Sequence, residues 1–291
     1  MANNIQRSQK YLQMLDEIYK MSSKTEVLDA QTQPDFTNAN AIKVLKVETT
    51  GLGDYDKDSG YPKGDVTATW ESMTLSQSRG KEISIDRMDD EETLGMTFGT
   101  VTSKFVRDHV SPEVDAYRFA KYAQAAGTVK PEDLTAQNVL DAIDAALYAL
   151  NANEVPEGDR YLFMDFSLQA LLGKAVDRSW MNEDGISREL VSYNGVPIIW
   201  VPASRFYTEI SMNSGIEQWG YSKAEDGEAI NFLLVQKDAV VQATKLALPK
   251  IFSPDENQDK DAWKFQFRLY HDAFAHSNKS KGIYLSRALA E

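Results

Sequence analysis

The chain has 291 residues, enough for one or two domains with a real core. Its 42% apolar and 26% charged residues are ordinary for a globular protein, no apolar run approaches the roughly 18 residues that span a bilayer, and the N-terminus lacks the apolar stretch and small-residue cleavage pattern of a secretory signal. Cysteine is absent, which excludes disulfides, zinc–thiolate sites and cysteine catalysis, and a net charge of −13 argues against attraction to nucleic acid or an anionic membrane as the design of the whole chain.

Ser8 to Met21 reads as a short amphipathic helix with Leu12, Leu15, Ile18 and Tyr19 on one side. The polar stretch SSKTEVLDAQTQPDFTNANA follows, so the helix is either a flexible tail or an arm that docks elsewhere. AIKVLKVETT predicts a strand ending at Gly51, and GLGDYDKDSGYPKG, dense in Gly, Asp and Pro, predicts a turn or loop. VTATWESMTL resumes the extended pattern, with a kink or bulge expected at Arg79-Gly80 before ISID. The run Trp70–Thr93 reads as an extended segment with no partner of its own, feeding into an acid-capped helix. A lone two-stranded arm is marginal in water, so such an arm needs something else to lie on.

Asp89 or Asp90 caps the next helix, with Glu91 and Glu92 in its first turn, where their charge complements the exposed N–H groups. Leu94, Phe98, Val101 and Phe105 recur at helical spacing, and Gly95 and Gly99 lie on an adjoining face. Each glycine costs about 1 kcal/mol against alanine in a helix, which close approach of a neighbour would offset. SPEVDAYRFAKYAQAAG predicts a second helix with Ser111 as N-cap, Pro112 at the first position and Gly127 after the end. A third helix is expected from Ala136 to Leu150.

RYLFMD then reads as a strand, SLQALLGKA as a helix, and ELVSYNGVPIIWV as two short strands around Asn194-Gly195, a strong hairpin signal. INFLLV predicts a buried strand; LALPKIF and the loop SPDENQDKD follow. AWKFQFRLYHDAF predicts a long strand with Trp263, Phe265, Phe267 and Leu269 on one face, and GIYLSRA a last strand antiparallel to it. No internal repeat is present. The class is mixed α+β, with a discontinuous domain built from the first helices and the last strands.

Candidate chemistry is thin. The acids Asp86, Asp89, Asp90, Glu91 and Glu92 face different directions around a helix start, and capping already explains them. Asp54, Asp56, Asp58 and Asp65 have EF-hand-like spacing, but Ser59 stands at the required glycine and strands flank the loop. Asp255, Asn257 and Asp259 depart further, with Lys260 at the glycine position and Gln266 at the twelfth, so solvated turns are the better reading for both loops. His109, His271 and His276 form no ligand set, and neither a G-x-S-x-G elbow nor a phosphate loop appears. The tryptophans, Trp70, Trp180, Trp200, Trp219 and Trp263, are scattered and suit core or interface anchors rather than a base-stacking platform. Charge is uneven: acids cluster at Asp86–Glu92, while Lys264, Arg268, Lys279, Lys281 and Arg287 mark the last segment. In a monomer this is a solvated pattern; between copies it would set register.

The order TTGLGDYDKDSGYPKGDVTATWESMTLSQSRGKEISIDRMDDEET, FVRDHVSPEVDAYRFAKYA, INFLLVQKDAVVQATKL, IFSPDENQDKDAWKFQFRLYHDAF and NKSKGIYLS strongly resembles a major capsid protein of tailed bacteriophages and prophages, the Hong Kong 97-type coat fold. The resemblance covers essentially the whole chain. It implies an N-terminal arm (residues 1–49) and an extended E-loop (50–85) that lies over the adjacent subunit's peripheral domain. It further implies a peripheral domain (86–131 with 242–291) whose spine helix starts near Asp89, and an axial domain (132–241).

The implied function is a non-enzymatic shell subunit assembling as hexamers and pentamers into an icosahedral virion capsid around double-stranded DNA. It needs no cofactor or metal and has no membrane partner. Assembly is expected in the host cytoplasm, with a portal protein and, because the chain begins almost at the arm, a separate scaffolding protein. Contact with packaged DNA would be non-specific. Some relatives join a Lys and an Asn between subunits; no such pair is matched here. The expected inter-subunit anchors are Trp70, Met73, Leu75 and Arg79 on the E-loop and Leu12, Leu15 and Ile18 on the arm. The alternatives are an encapsulin-like nanocompartment shell, which shares the fold, and a carboxylate-dependent hydrolase.

Overall fold

The apolar run INFLLV lies at the middle of a sheet covered on both faces, which is why its residues do not alternate with polar ones. The computed structural model describes residues 23–29, 36–38, 41–55, 57–58, 60–61, 63–88, 96–175 and 191–289. In chain order, strands β1 (Phe36–Asn38), β2 (Ala41–Thr49), β3 (Val66–Thr74) and β4 (Gln77–Asp86) lead into helix α1 (Met96–Phe105), a π-turn (Val106–Val110) and helix α2 (Ser111–Gln124). Then come β5 (Thr128–Pro131), α3 (Val139–Ala152), β6 (Arg160–Asp165), α4 (Gln169–Ala175), β7 (Ser192–Tyr193) and β8 (Val196–Val201). The chain finishes with β9 (Ile210–Met212), β10 (Tyr221–Lys223), β11 (Ile230–Gln236), β12 (Val240–Phe252), β13 (Ala262–Ala275) and β14 (Ile283–Arg287).

The central sheet has six strands in the order β5-β14-β11-β6-β8-β7. Period-two alternation splits β11 between two cores. Leu233 and Val235 join Phe119 and Tyr122 of α2, with Phe163 and Phe206, on one face. Phe232 and Leu234 join Ile143, Ala146 and Leu150 of α3, with Met164 and Trp200, on the other. Asn194 and Gly195 both take positive φ, 47° and 78°, and close the β7–β8 hairpin as expected.

A second sheet, β12-β13-β4, lies against the opposite side of α2. There Val110 and Val114 meet Leu269, while Val106 meets Phe265. Caught between two sheets, α2 is buried almost all round from Val114 to Ala120. That explains why its sequence shows no clean polar face.

Several expectations are corrected. The run from Trp70 is not partnerless: β3 pairs with β2 from Ala41↔Thr74 to Thr49↔Val66, and β4 pairs with β13 from Gln77↔His271 to Asp86↔Ala262. No bulge interrupts β4 at Arg79-Gly80. Gly80 is there for close approach, since a Cβ would sit 3.0 Å from the Phe267 carbonyl oxygen.

Ser111 does not cap a new helix. It is helical itself (φ −62°, ψ −43°), its N–H donates to the Val106 carbonyl, and α1 runs through the π-turn into α2. Proline lacks the N–H and its ring crowds the carbonyl four residues back, and the wider turn just before Pro112 accommodates that mismatch. The third helix starts at Val139 rather than Ala136, because Thr135 and Asn138 first form a turn in which Asn138 Oδ1 accepts the Thr135 N–H. LALPKIF is not a separate segment but the end of β12.

The last strand, β14, does not pair with β13. It inserts into the central sheet, antiparallel to β11 and parallel to β5. The amphipathic helix expected at Ser8–Met21, the carboxylates Asp89 to Glu92, Leu94, Gly95 and Trp180 lie outside the described residues. Among the described residues no helix is long and apolar enough to cross a membrane.

Candidate functional site: an exposed ribbon and the clamp at its root

Strands β2 and β3 form a ribbon that leaves the body at Leu75. Near the root its side chains are buried: Ile42 and Leu75 pack with Ala243, Tyr270 and Phe274, and Met73 is buried as well. Further out the ribbon is open on both faces, with Val66 69%, Trp70 65% and Val47 50% exposed. The tip carries Leu52, fully exposed, and Tyr55 beside Tyr61 at a ring separation of 5.0 Å. Large apolar side chains exposed over such a length mark a surface that another molecule covers.

The root is held by buried carboxylates. Asp272 Oδ2 accepts the Ser76 N–H at 2.7 Å and the Ser76 hydroxyl at 2.9 Å, and its Oδ1 accepts the Tyr117 hydroxyl at 2.8 Å. Burial first, with a contribution from the Asp272 charge, pushes the Tyr117 phenol up to about 12, so it remains a donor. Three residues on, Arg79 forks onto Glu113 of α2, with Nε 2.6 Å from Oε1 and Nη2 3.3 Å from Oε2. The same guanidinium donates to the Asn213 and Gly220 carbonyls at 2.8 and 3.2 Å, joining the β9–β10 hairpin to the ribbon root. A planar fork meeting a carboxylate and two carbonyls is a geometry that lysine would not reproduce.

A second anchor holds residues 23–29. Asp115, fully buried on α2, accepts the Ser23 hydroxyl, the Lys24 N–H, the Thr25 N–H and the Thr25 hydroxyl at 2.8–3.2 Å. Arg205 reaches it from the far side at 3.2 Å. Arg118 Nη1 donates to the Thr25 hydroxyl at 2.9 Å, Gln242 Nε2 to the Thr25 carbonyl at 3.0 Å, and Leu28 enters the core. This part of the polar strap docks on its own subunit.

The expected anchors therefore differ in placement. Trp70 is exposed on the ribbon, whereas Met73 and Leu75 are buried and Arg79 is engaged by Glu113 and two carbonyls, all inside the subunit. Leu12, Leu15 and Ile18 lie outside the described residues. Asp115, Asp272 and Glu113 were not singled out from sequence. A usable signal existed: Asp115 and Arg118 stand among Val114, Ala116, Tyr117, Phe119 and Ala120, a run apolar on every side of the helix, and buried charges must be paired.

The alternative chemistries gain no geometry. Among the described residues no group of three or more His, Asp or Glu side chains is placed to hold a metal ion. Asp86 Oδ1 accepts the Met88 N–H, a local turn contact. In the second calcium-like loop, Lys264 lies 2.6 Å from Asp259 and holds its carboxyl below the usual range, and Arg87 faces Asp255 and Asp261. His271 is buried against Tyr117, edge to face at 5.6 Å, with neither ring nitrogen hydrogen-bonded.

Comparison with solved structures matches this arrangement over most of the chain. Against the asymmetric unit of the bacteriophage PhiM1 mature capsid the TM-score is 0.65 at 10% identity, covering 87% of this chain and 83% of that one. Against the capsid of cyanophage P-SCSP1u it is 0.64 at 13% identity, covering 90% and 88%. The fold is the Hong Kong 97-type capsid fold. A virus-like particle from Pyrococcus furiosus also matches, with a TM-score of 0.54 at 10% identity over 94% of this chain and 95% of that one. No protein-family model and no curated protein matches the sequence. At such identities the Hong Kong 97-type fold is shared by backbone and topology, so the clamp residues here are read from this chain alone.

Proposed function

We propose that the chain is the major capsid subunit of a tailed phage or prophage. In this reading it assembles as hexamers and pentamers into an icosahedral shell around double-stranded DNA, without catalysing a reaction. The carrying observation is the ribbon: a capsid-type fold with a long projection that is exposed on both faces and carries Val47, Val66 and Trp70 along one of them needs neighbouring copies to bury it. The segment to about residue 49 is the N-terminal arm, residues 50–85 the E-loop, and α1 with α2 the spine of the peripheral domain. Trp70 is the inter-subunit anchor of the E-loop. A scaffolding protein and a portal complete assembly in the host cytoplasm, and packaged DNA meets the shell non-specifically, as the overall acidity favours.

The test is electron microscopy of the protein produced with the products of its neighbouring genes. Uniform icosahedral particles that hold DNA support the reading; a monomer or small oligomer under all conditions overturns it. The likeness to the Pyrococcus particle supports a second reading, a nanocompartment shell, which predicts particles that hold protein cargo and no DNA.

A further inference from the structure

A cleft of about 1220 Å³ opens between β4, the helix from Phe105 to Val114, and the β9–β10 hairpin. Four consecutive β4 residues, Ser78 to Lys81, line it, so the strand meets the cleft along its edge. That edge is open: β4 ends the sheet β12-β13-β4 and pairs with β13 alone. Among the described residues no backbone hydrogen bond reaches the outward N–H and C=O groups of β4. A strand of ten residues, with no proline and no bulge, presents those groups at regular spacing, a template on which a further strand pairs.

The cleft walls add side-chain chemistry. Trp219 is 64% exposed, yet it is held in place. A Cβ at Gly215 would sit 3.0 Å from its ring, and Lys81 Nζ lies 4.6 Å from the ring centroid. An exposed aromatic already fixed in position costs little to order on binding. Charge in the cleft runs against that of the molecule. Arg79 and Arg107 lie against Glu113 and Asp108, and Arg205 turns to Asp115. Lys81 and Lys223 remain as surplus cations in a chain of net charge −13.

We infer that the cleft and the β4 edge bind an extended acidic segment of another protein, which pairs its main chain with β4, sets carboxylates against Lys81 and Lys223, and lays an apolar or aromatic side chain on Trp219. Outward peptide groups at strand spacing match a polypeptide main chain and not a sugar–phosphate backbone, and the overall acidity of the chain opposes a run of phosphates. The chain's own acidic loops, between β2 and β3 and between β12 and β13, are each tied at both ends to paired strands. Neither offers a free extended segment, which is why the occupant is assigned to a different protein. The inference stands apart from the capsid reading, since it needs only the folded subunit.

The probe is a fluorescein-labelled acidic peptide, EVEYEVE, titrated with the full-length protein and followed by anisotropy. Its comparisons are KVKYKVK and two forms of EVEYEVE, N-methylated at the odd or at the even positions. The expected result is saturable binding about tenfold tighter than that of KVKYKVK and about tenfold weaker in Lys223→Glu and in Trp219→Ala. N-methylation should abolish binding for one alternate set and spare the other, because a strand pairs through every second residue. Lys223 and Trp219 are both exposed, and the N-methyl comparison needs no variant at all. Absence of saturable binding, equal binding of the two charge types, or equal loss from both N-methylated forms overturns the inference. Tighter binding of a labelled oligothymidylate overturns it in favour of nucleic acid, and release of the peptide when subunits join one another overturns it in favour of a second copy.

Discussion

Asp115 is an acid placed where a helix has no exposed side, and it is tolerable only because donors from two distant parts of the chain, residues 23–25 and Arg205, converge on it. Removing the carboxylate leaves buried donors and the Arg205 charge without their acceptor. Asp115→Ala is therefore expected to destabilise the subunit by about 3 kcal/mol. It should also free residues 23–29, read as faster trypsin cleavage after Lys24; unchanged cleavage would count against the anchor. His271 makes a different demand. Burial, then the charges of Arg118 and Arg79, lower its pKa from 6.5 to about 3, so it folds neutral. Between those values the unfolded state binds more protons than the folded one, so its contribution is complete above pH 6.5 and declines as pH falls toward 3. By pH 5 the loss is about 2 kcal/mol. His271→Leu should flatten the pH dependence of the denaturation midpoint between pH 7 and 5 relative to the parent. His276, also lowered by burial, titrates in both proteins and cancels in the difference. Equal slopes in the two proteins would show that His271 does not titrate against folding.

The ribbon is the element whose loss should separate folding from assembly. Its outer part contributes nothing to either core, so deleting Gly53–Gly64 is expected to leave the melting temperature within a few degrees of the parent while abolishing stable shells. Calorimetry and sedimentation of the same preparation read both outcomes, and normal shells from the deleted protein would refute the role assigned to the ribbon. At this scale legibility followed distance along the chain. The β7–β8 hairpin was legible because Asn194-Gly195 decides it locally. The uninterrupted apolar strand β11 was legible because both its faces are buried. The second partner of the extended run was not, because β4 pairs with residues about two hundred positions later and alternation alone does not choose among strands. The same holds for the clamp. Ser76 finds Asp272 at a separation of 196 residues and Lys24 finds Asp115 at 91, and no local pattern announces either partner. The π-turn was hidden because Ser-Pro is also the ordinary opening of a new helix.

At the scale of the whole molecule the chain closes on itself late. The central sheet needs β14, which follows every other strand of that sheet in the chain, between β5 and β11; without it β11 loses one neighbour and β5 its sheet partner. Ile283, Tyr284 and Leu285 are all buried, and they feed both cores, Ile283 and Leu285 facing α2 while Tyr284 faces α3. Tyr284 also stacks on Phe232 at 6.0 Å with the rings nearly parallel. Truncation after Gly282 thus removes an interior strand rather than a tail. Losing three large buried side chains at about 2 kcal/mol or more each, together with the ladder bonds on both sides, takes most of the 5–15 kcal/mol that holds a typical domain. The truncated protein should be insoluble, or soluble without a cooperative thermal transition. A chain ending at Ala288, which keeps β14, should fold normally. Subunits then become competent for assembly only once β14 has been made, because the surface that carries the ribbon is fixed by α2, and α2 is fixed by the sheet that β14 completes. If the chain ending at Gly282 still melts cooperatively near the parent temperature, this dependence of the assembly surface on the last strand is wrong.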